Sequence, residues 1–197
     1  MKVCWIDTET SGLDSQQNGI IQLAYIIDID NEPVDCGILY NNCKGKAHDP
    51  KALEMNQFTP EMIVTFPPSV HMYKRFKEVL KKYVNPYDKD RENKFIIGGF
   101  NVDFDVRFLM QLWKDHDDQH LFAFFNFGFI DPSVLARFLQ YSGQPVPAGM
   151  KLGELAAFFD IVPFGELHDA MVDIKLTREV SRKMMQQFIR TKPRKGV

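Results

Sequence analysis

Two acidic residues separated by one position, Asp7 and Glu9 in the stretch CWIDTETSGLD, follow directly on an apolar run. In an extended strand residues i and i+2 project on the same face, so a strand continuing through them would make the two carboxylates neighbours. Like charges at that distance repel. They are tolerated where a cation, a proton or a catalytic task offsets the repulsion, and hard divalent ions such as Mg²⁺ prefer carboxylate oxygens. The alternative is an ordinary solvated turn, with Thr10, Ser11 and Gly12 as its turn residues. Three further stretches offer similar chemistry. GGFNVDFDVRFL carries Asn101, Asp103 and Asp105, FIDPSVLARFL carries Asp131, and ELHDAMVDIKLT carries His168, Asp169 and Asp173. Asp169 and Asp173 are four apart and share a helical face, which leaves His168 on the loop entering that helix and Asp169 near its N-cap. Asp131, directly before Pro132, is explained by helix capping.

The elements that must position these residues are legible from periodicity. Residues 2–6 read as a buried strand, 19–30 as a longer one rich in β-branched residues, and EPVDCGILYNN as a third, pairing after a turn at Asp30-Asn31. A loop-rich section follows, interrupted by Pro50, Pro60, Pro67 and Pro68. The periodicity predicts a helix from Ser69 to about Val84, with Val70, Tyr73, Phe76, Val79 or Leu80 and Tyr83 on one face. FIIGGF is a fourth strand, leading into a helix over about 102–113. FGFI is a fifth, leading into a helix to about Tyr141. Helices over about 151–159 and 169–189 complete the chain. A meander of three strands followed by alternating helices and strands predicts an α/β layer fold with a mixed five-stranded β-sheet flanked by α-helices. Phe124, Phe125, Phe127 and Phe129 are assigned to its core.

The 197 residues suit one domain, expected over 1–190 with a short basic tail at 191–197. Cys4, Cys36 and Cys43 lack paired spacing, which points away from a disulfide framework or a zinc site. No apolar run approaches a membrane span, and the acidic start does not resemble a secretory signal, so a cytoplasmic location is expected. A net charge of −2 argues against holding nucleic acid by bulk charge. Two local basic tracks remain, Lys74, Lys77 and Lys81 on one helix and Arg190, Lys192, Arg194 and Lys195 at the end of the chain; a solvated face and a tail are the simpler readings of both.

In order, Asp7-x-Glu9, Asn101 with Phe104-Asp105 before Phe108-Leu109, and His168-x4-Asp173 resemble the signature of the DEDDh (DnaQ-like) 3′→5′ exonucleases. The resemblance spans Asp7 to Thr177 and extends to ALEMNQFTPEMI, where it implies a Thr-x-Glu turn opening a short helix, with one departure: Phe100 stands where many members have histidine. Both Asp103 and Asp105 are available as the motif aspartate, and the spacing to Phe108-Leu109 points to Asp105. The resemblance implies a ribonuclease-H-like three-layer fold and phosphodiester hydrolysis with two divalent ions, Mg²⁺ or Mn²⁺, about 4 Å apart. It implies that Asp7 bridges both ions, that Glu9 and Asp173 complete the one carrying the attacking water, that Asp105 holds the other, and that His168 is the general base. Thr8, Thr10 and Gly12 would present backbone N–H groups to a terminal hydroxyl, Leu13 and Phe104 would pack on the last base, and Asn101 would belong to the substrate-binding set. The implied substrate is a single-stranded 3′ end, DNA before RNA, shortened to nucleoside 5′-monophosphates. The alternatives are an exoribonuclease resembling oligoribonuclease or ribonuclease T, and a non-catalytic nucleic-acid-binding module. A polymerase or replication partner is a further candidate, although a freestanding enzyme is the simpler expectation.

Overall fold

A computed structural model of the chain describes residues 1–163, 165 and 169–190, the last four by backbone alone. The first strand, β1 (Lys2–Thr10), does not stop at Ile6 but runs through the acidic pair. It does so because β2 (Ile20–Ile29) continues to pair with it antiparallel, Asp7 opposite Ala24, Thr8 opposite Leu23 and Glu9 opposite Gln22. Backbone pairing thus overrides the unfavourable strand propensity of two acids.

The chain returns through Asp30 and Asn31, both with positive φ (53° and 71°), into β3 (Glu32–Tyr40). Two adjacent left-handed residues make a turn whose twist matches that of a hairpin, and Asp and Asn tolerate it best after glycine. The remaining strands, β4 (Phe95–Gly98) and β5 (Phe125–Ile130), lie parallel to β1, giving the sheet order β3-β2-β1-β4-β5. Parallel neighbours require crossovers. The first carries α1 (Pro50–Met55), α2 (Pro60–Ile63) and α3 (Ser69–Tyr83), and the second carries α4 (Asp103–Lys114). After β5 come α5 (Pro132–Tyr141), α6 (Leu152–Phe158) and α7 (Ala170–Arg190).

Alternation along β1 sends its two faces into two different cores. Cys4 and Ile6 pack with Leu23, Tyr25 and Ile27 against Met72, Phe76 and Leu80 of α3 and Val106 and Leu109 of α4. Val3 and Trp5 pack with Ala24 and Ile26 against Ala170 and Ile174 of α7. The sheet is therefore the middle of three layers. On its α7 side a satellite cluster of Ala136, Leu155, Leu176 and Val180 joins α5, α6 and α7.

Three expectations need correction. Besides the short helix α2, which the resemblance implies after a Thr-x-Glu turn, the loop-rich section contains a second one, α1, and each is started by a side-chain cap, Asp49 for α1 and Thr59 for α2, followed by proline. Proline suits that first helical position because its missing N–H would be unpaired there anyway. On α3 the buried face is centred on Met72, Phe76, Val79 and Leu80, while Val70 is exposed. Phe124 and Phe125 belong to the core, but Phe127 and Phe129 are 63% and 45% exposed. β5 is an edge strand whose pairing skips from Phe125 opposite Phe95 to Phe129 opposite Ile97, so the residues between them bulge away from the core.

All three cysteines are free, Cys4 and Cys43 buried and Cys36 exposed. Lys77 is committed to Asp118 at 2.6 Å, while Lys74 and Lys81 are exposed. The basic tail at 191–197 lies outside the described residues. No helix among the described residues is long and apolar enough to cross a membrane.

Candidate metal centre and active site

The site is built where the C-terminal end of β1 meets α4 on one face and α7 on the other. The same alternation that sends Val3 and Trp5 toward α7 sends Asp7 and Glu9 there, and α7 presents Asp173 from its first turn. One ligand atom from each of Asp7, Glu9 and Asp173 lies within 4.8 Å of the others. Asp105 comes from the first turn of α4 in the opposite layer and is 3% exposed.

Several contacts fix these contributors. Gly98, ending β4, leaves room for the Trp5 ring on the α7 side, and Gly99 permits the close approach of the α4 entrance, since a Cβ there would lie 2.7 Å from Val102 and 2.9 Å from the Ile6 carbonyl oxygen. The chain then turns through Asn101, at φ +54°, into α4. Helix α4 has no side-chain cap of its own, but Asp131 Oδ2 accepts the Val102 N–H at 3.1 Å while Oδ1 accepts the Ser133 N–H at 2.8 Å. Asp131 thus caps α5 and ties α4 to β5 with the same carboxylate. Thr8, between the two acids of β1, faces the α4 layer, and its hydroxyl donates to Asp105 Oδ1 at 2.7 Å.

The entrance to α7 is held from two sides. Asp169 Oδ1 accepts the N–H groups of Met171 and Val172, both at 3.0 Å, and Gln22 Oε1 accepts that of Ala170 at 3.2 Å. Gln22, 3% exposed and opposite Glu9 in register, also donates to the Tyr40 hydroxyl at 3.1 Å. The sequence reading missed Gln22, although a glutamine inside the apolar run IIQLAYII is a signal in itself: a buried amide needs partners.

Crowding of acids shows in their proton affinities. Burial raises the Asp7 carboxyl well above the usual range, and the charges of Asp105, Glu9, Asp173 and Asp169 raise it further. Glu9 is pushed up to about 8, first by burial and then by Asp173, Asp105 and Asp169. Asp105 is raised to about 7 by burial, against the lowering effect of hydrogen bonds from Thr8 and from its own backbone. Among the described residues no lysine or arginine forms an ion pair with Asp7, Glu9 or Asp105. An all-oxygen donor set with unbalanced negative charge fits hard divalent cations such as Mg²⁺ and Mn²⁺ and does not fit a soft, thiolate-preferring metal.

The substrate candidates lie on the elements that carry the acids, at the end of β1 and the turn after it and at the start of α4. Thr8 and Thr10 are buried; the Thr10 hydroxyl donates to the Gly12 carbonyl at 2.7 Å. A Cβ on Gly12 would lie 2.5 Å from the Asn18 side chain, which spans to the Ala47 carbonyl at 2.8 Å and accepts the Asp14 N–H at 3.0 Å. The turn is therefore rigid, and Leu13 projects from it 79% exposed. Phe104, partly buried, packs 4.9 Å from Phe108, and Asn101 is exposed. Asp103 points outward toward Arg107 at 3.2 Å with its side chain 76% exposed, whereas Asp105 is buried beside Asp7. His168 lies outside the described residues.

The sequence profile of the family described as Exonuclease, of the RNase T type, matches residues 4–180. The chain belongs to this exonuclease family, within the DEDDh (DnaQ-like) superfamily, and its five-stranded mixed sheet with flanking helices is the ribonuclease-H-like fold. Comparison with curated protein sequences yields no match. Among solved structures, a product-bound exonuclease I superposes with a TM-score of 0.78 at 16% identity, covering 96% of this chain and 44% of that one. E. coli exonuclease I in complex with a dA16 oligonucleotide gives 0.73 at 18% identity, covering 94% and 41%. Cell-death related nuclease 4 gives 0.74 at 16% identity, covering 94% and 64%. At such identities the likeness is one of fold, and the chain spans less than half the length of the exonuclease I chains.

Proposed function

We propose that this domain is a metal-dependent 3′→5′ exonuclease that releases nucleoside 5′-monophosphates from single-stranded 3′ ends, DNA before RNA. The observation that carries the reading is the convergence of Asp7, Glu9 and Asp173 within 4.8 Å, with Asp105 in the opposite layer, outside that group but near enough for its charge to act on Asp7. Buried carboxylates concentrated in this way favour binding of divalent cations and disfavour their own ionisation without them.

In this reading Asp7, between Asp105 on one side and Glu9 and Asp173 on the other, serves two ions. Glu9 and Asp173 would hold one with it, and Asp105 would hold the second. When bound, such a pair of ions supplies hydroxide at neutral pH and offsets charge on the departing oxygen. His168, assigned from its place five residues before Asp173, accepts the proton of the attacking water, a task suited to an imidazole. The end of β1 and the turn after it, Thr8 to Leu13, present their backbone to the terminal hydroxyl, since the side-chain hydroxyls of Thr8 and Thr10 are committed elsewhere. Exposed Leu13 and the Phe104 ring pack on the terminal base, a contact that tolerates any base, and exposed Asn101 completes the substrate-binding set. Single-stranded DNA is favoured by the fold-level likeness to an exonuclease I bound to a deoxyoligonucleotide.

The test uses 5′-labelled single-stranded DNA and RNA of equal sequence with Mg²⁺, Mn²⁺ or EDTA, comparing wild type with Asp7→Ala. A metal-dependent ladder on DNA, shortening from the 3′ end and lost in the variant, is the expected result. A ladder on RNA alone would replace the substrate assignment with an exoribonuclease. Binding without shortening of either polymer would overturn the enzymatic reading in favour of a non-catalytic module.

A further inference from the structure

We infer that Thr8 is a positioning residue of the metal centre, whose hydroxyl holds the Asp105 carboxylate in the orientation that lets it share ions with Asp7. This rests on the metal-centre reading and adds to it a residue that binds neither metal nor substrate through its side chain.

The geometry follows from the strand. Asp7 and Glu9 share one face of β1, so the residue between them must face the other layer. That layer is the one from which Asp105 comes, on the first turn of α4. The Thr8 hydroxyl lies 2.7 Å from Asp105 Oδ1, and Thr8 and Asp105 are 8% and 3% exposed. One oxygen of Asp105 is thereby fixed by the strand that bears two of the other acids. Asp105 is the ligand most in need of such a link: Asp7 and Glu9 are joined by one strand, whereas Asp105 sits in a different layer on a helix without a side-chain cap of its own. A β-branched residue suits the role because its χ1 is restricted, which holds the hydroxyl in one direction. Outer partners of metal-binding carboxylates typically contribute 10- to 100-fold in affinity.

The experiment titrates Mn²⁺ into the metal-free full chain, without nucleic acid, by calorimetry, for wild type, Thr8→Val, Thr8→Ala and Thr8→Ser. It adds Asp105→Asn alone and combined with Thr8→Val, and circular dichroism verifies folding in each case. The expected result is an approximately 10-fold weakening of Mn²⁺ binding in Thr8→Val and Thr8→Ala, near wild-type binding in Thr8→Ser, and no further weakening by Thr8→Val once Asp105 is Asn. If the folded Thr8→Val or Thr8→Ala protein binds Mn²⁺ like wild type, or Thr8→Val weakens it equally in the Asp105→Asn background, the positioning role is overturned while the metal centre stands. Wild type that binds no Mn²⁺ overturns both.

Discussion

Glu9 and Asp105 hold their protons to about pH 8 and about pH 7 in the metal-free fold, against ordinary carboxylate values near 4 in an unfolded chain. The sign of the consequence is fixed by linkage. Between about pH 4 and pH 8 the folded state binds more protons than the unfolded one, so stability falls as pH rises. Metal-free protein should therefore lose roughly 5 °C or more of Tm between pH 5 and pH 8, and Mn²⁺ should restore it most strongly at pH 8. A Tm in EDTA that is flat or rises over that window would contradict the crowding described for these groups. The same reasoning predicts that Glu9→Gln raises the Tm of the metal-free protein at pH 8 while abolishing Mn²⁺ binding and exonuclease turnover. Stability and function are opposed at this position because the repulsion that weakens the apo fold is what the ions relieve.

At the scale of elements, the motif spacing made the contributors legible, since Asp7 and Glu9 need only strand alternation, and Asp169 with Asp173 only helical spacing. The parts that were not legible depend on contacts between distant segments. Nothing local to residues 2–10 shows that β1 continues past Ile6; that is decided by pairing with β2. Nothing local to FNFGFI distinguishes Phe125, buried, from Phe127, exposed, because both fit a buried run and only the irregular edge pairing separates them. Gln22 is a third case, a polar residue whose purpose appears only when α7 arrives from the far end of the chain. Its role gives an element-scale prediction. Gln22→Leu leaves the Ala170 N–H without its acceptor, which should cost about 1–3 kcal/mol. Amide exchange over 170–173 should accelerate well before that of β1 or β2, and unchanged protection there would show that Asp169 alone suffices to hold the entrance of α7.

Across the whole molecule, α7 is fastened by more than apolar packing. Asp28 Oδ2 accepts from Arg178 Nε at 2.7 Å and from Trp5 Nε1 at 3.0 Å, while Arg178 and Arg182 reach the Asn31 carbonyl in the β2–β3 turn at 3.4 and 3.1 Å. Asp28 is 4% exposed. Removing one partner of a buried pair strands the other, at a cost of about 3–5 kcal/mol. Arg178→Met should accordingly lower the Tm by roughly 10 °C, and Mn²⁺ should recover part of the loss, because α7 also carries Asp173. A Tm within 2 °C of wild type would show that the apolar contacts of Ala170 and Ile174 hold the helix without this latch, in the sense that roughly 1 kcal/mol or less was at stake.

The four acids of the centre stand at positions 7, 9, 105 and 173, and the last belongs to the final helix of the fold. A ribosome therefore makes this catalyst in an order that delays its chemistry. Asp7 and Glu9 emerge about 100 residues before Asp105, and Asp105 about 70 residues before Asp173. A chain stalled or cut before position 173 carries most of the nuclease surface but an incomplete charge trap. The centre is thus completed only after α7 has been made and packed onto the sheet.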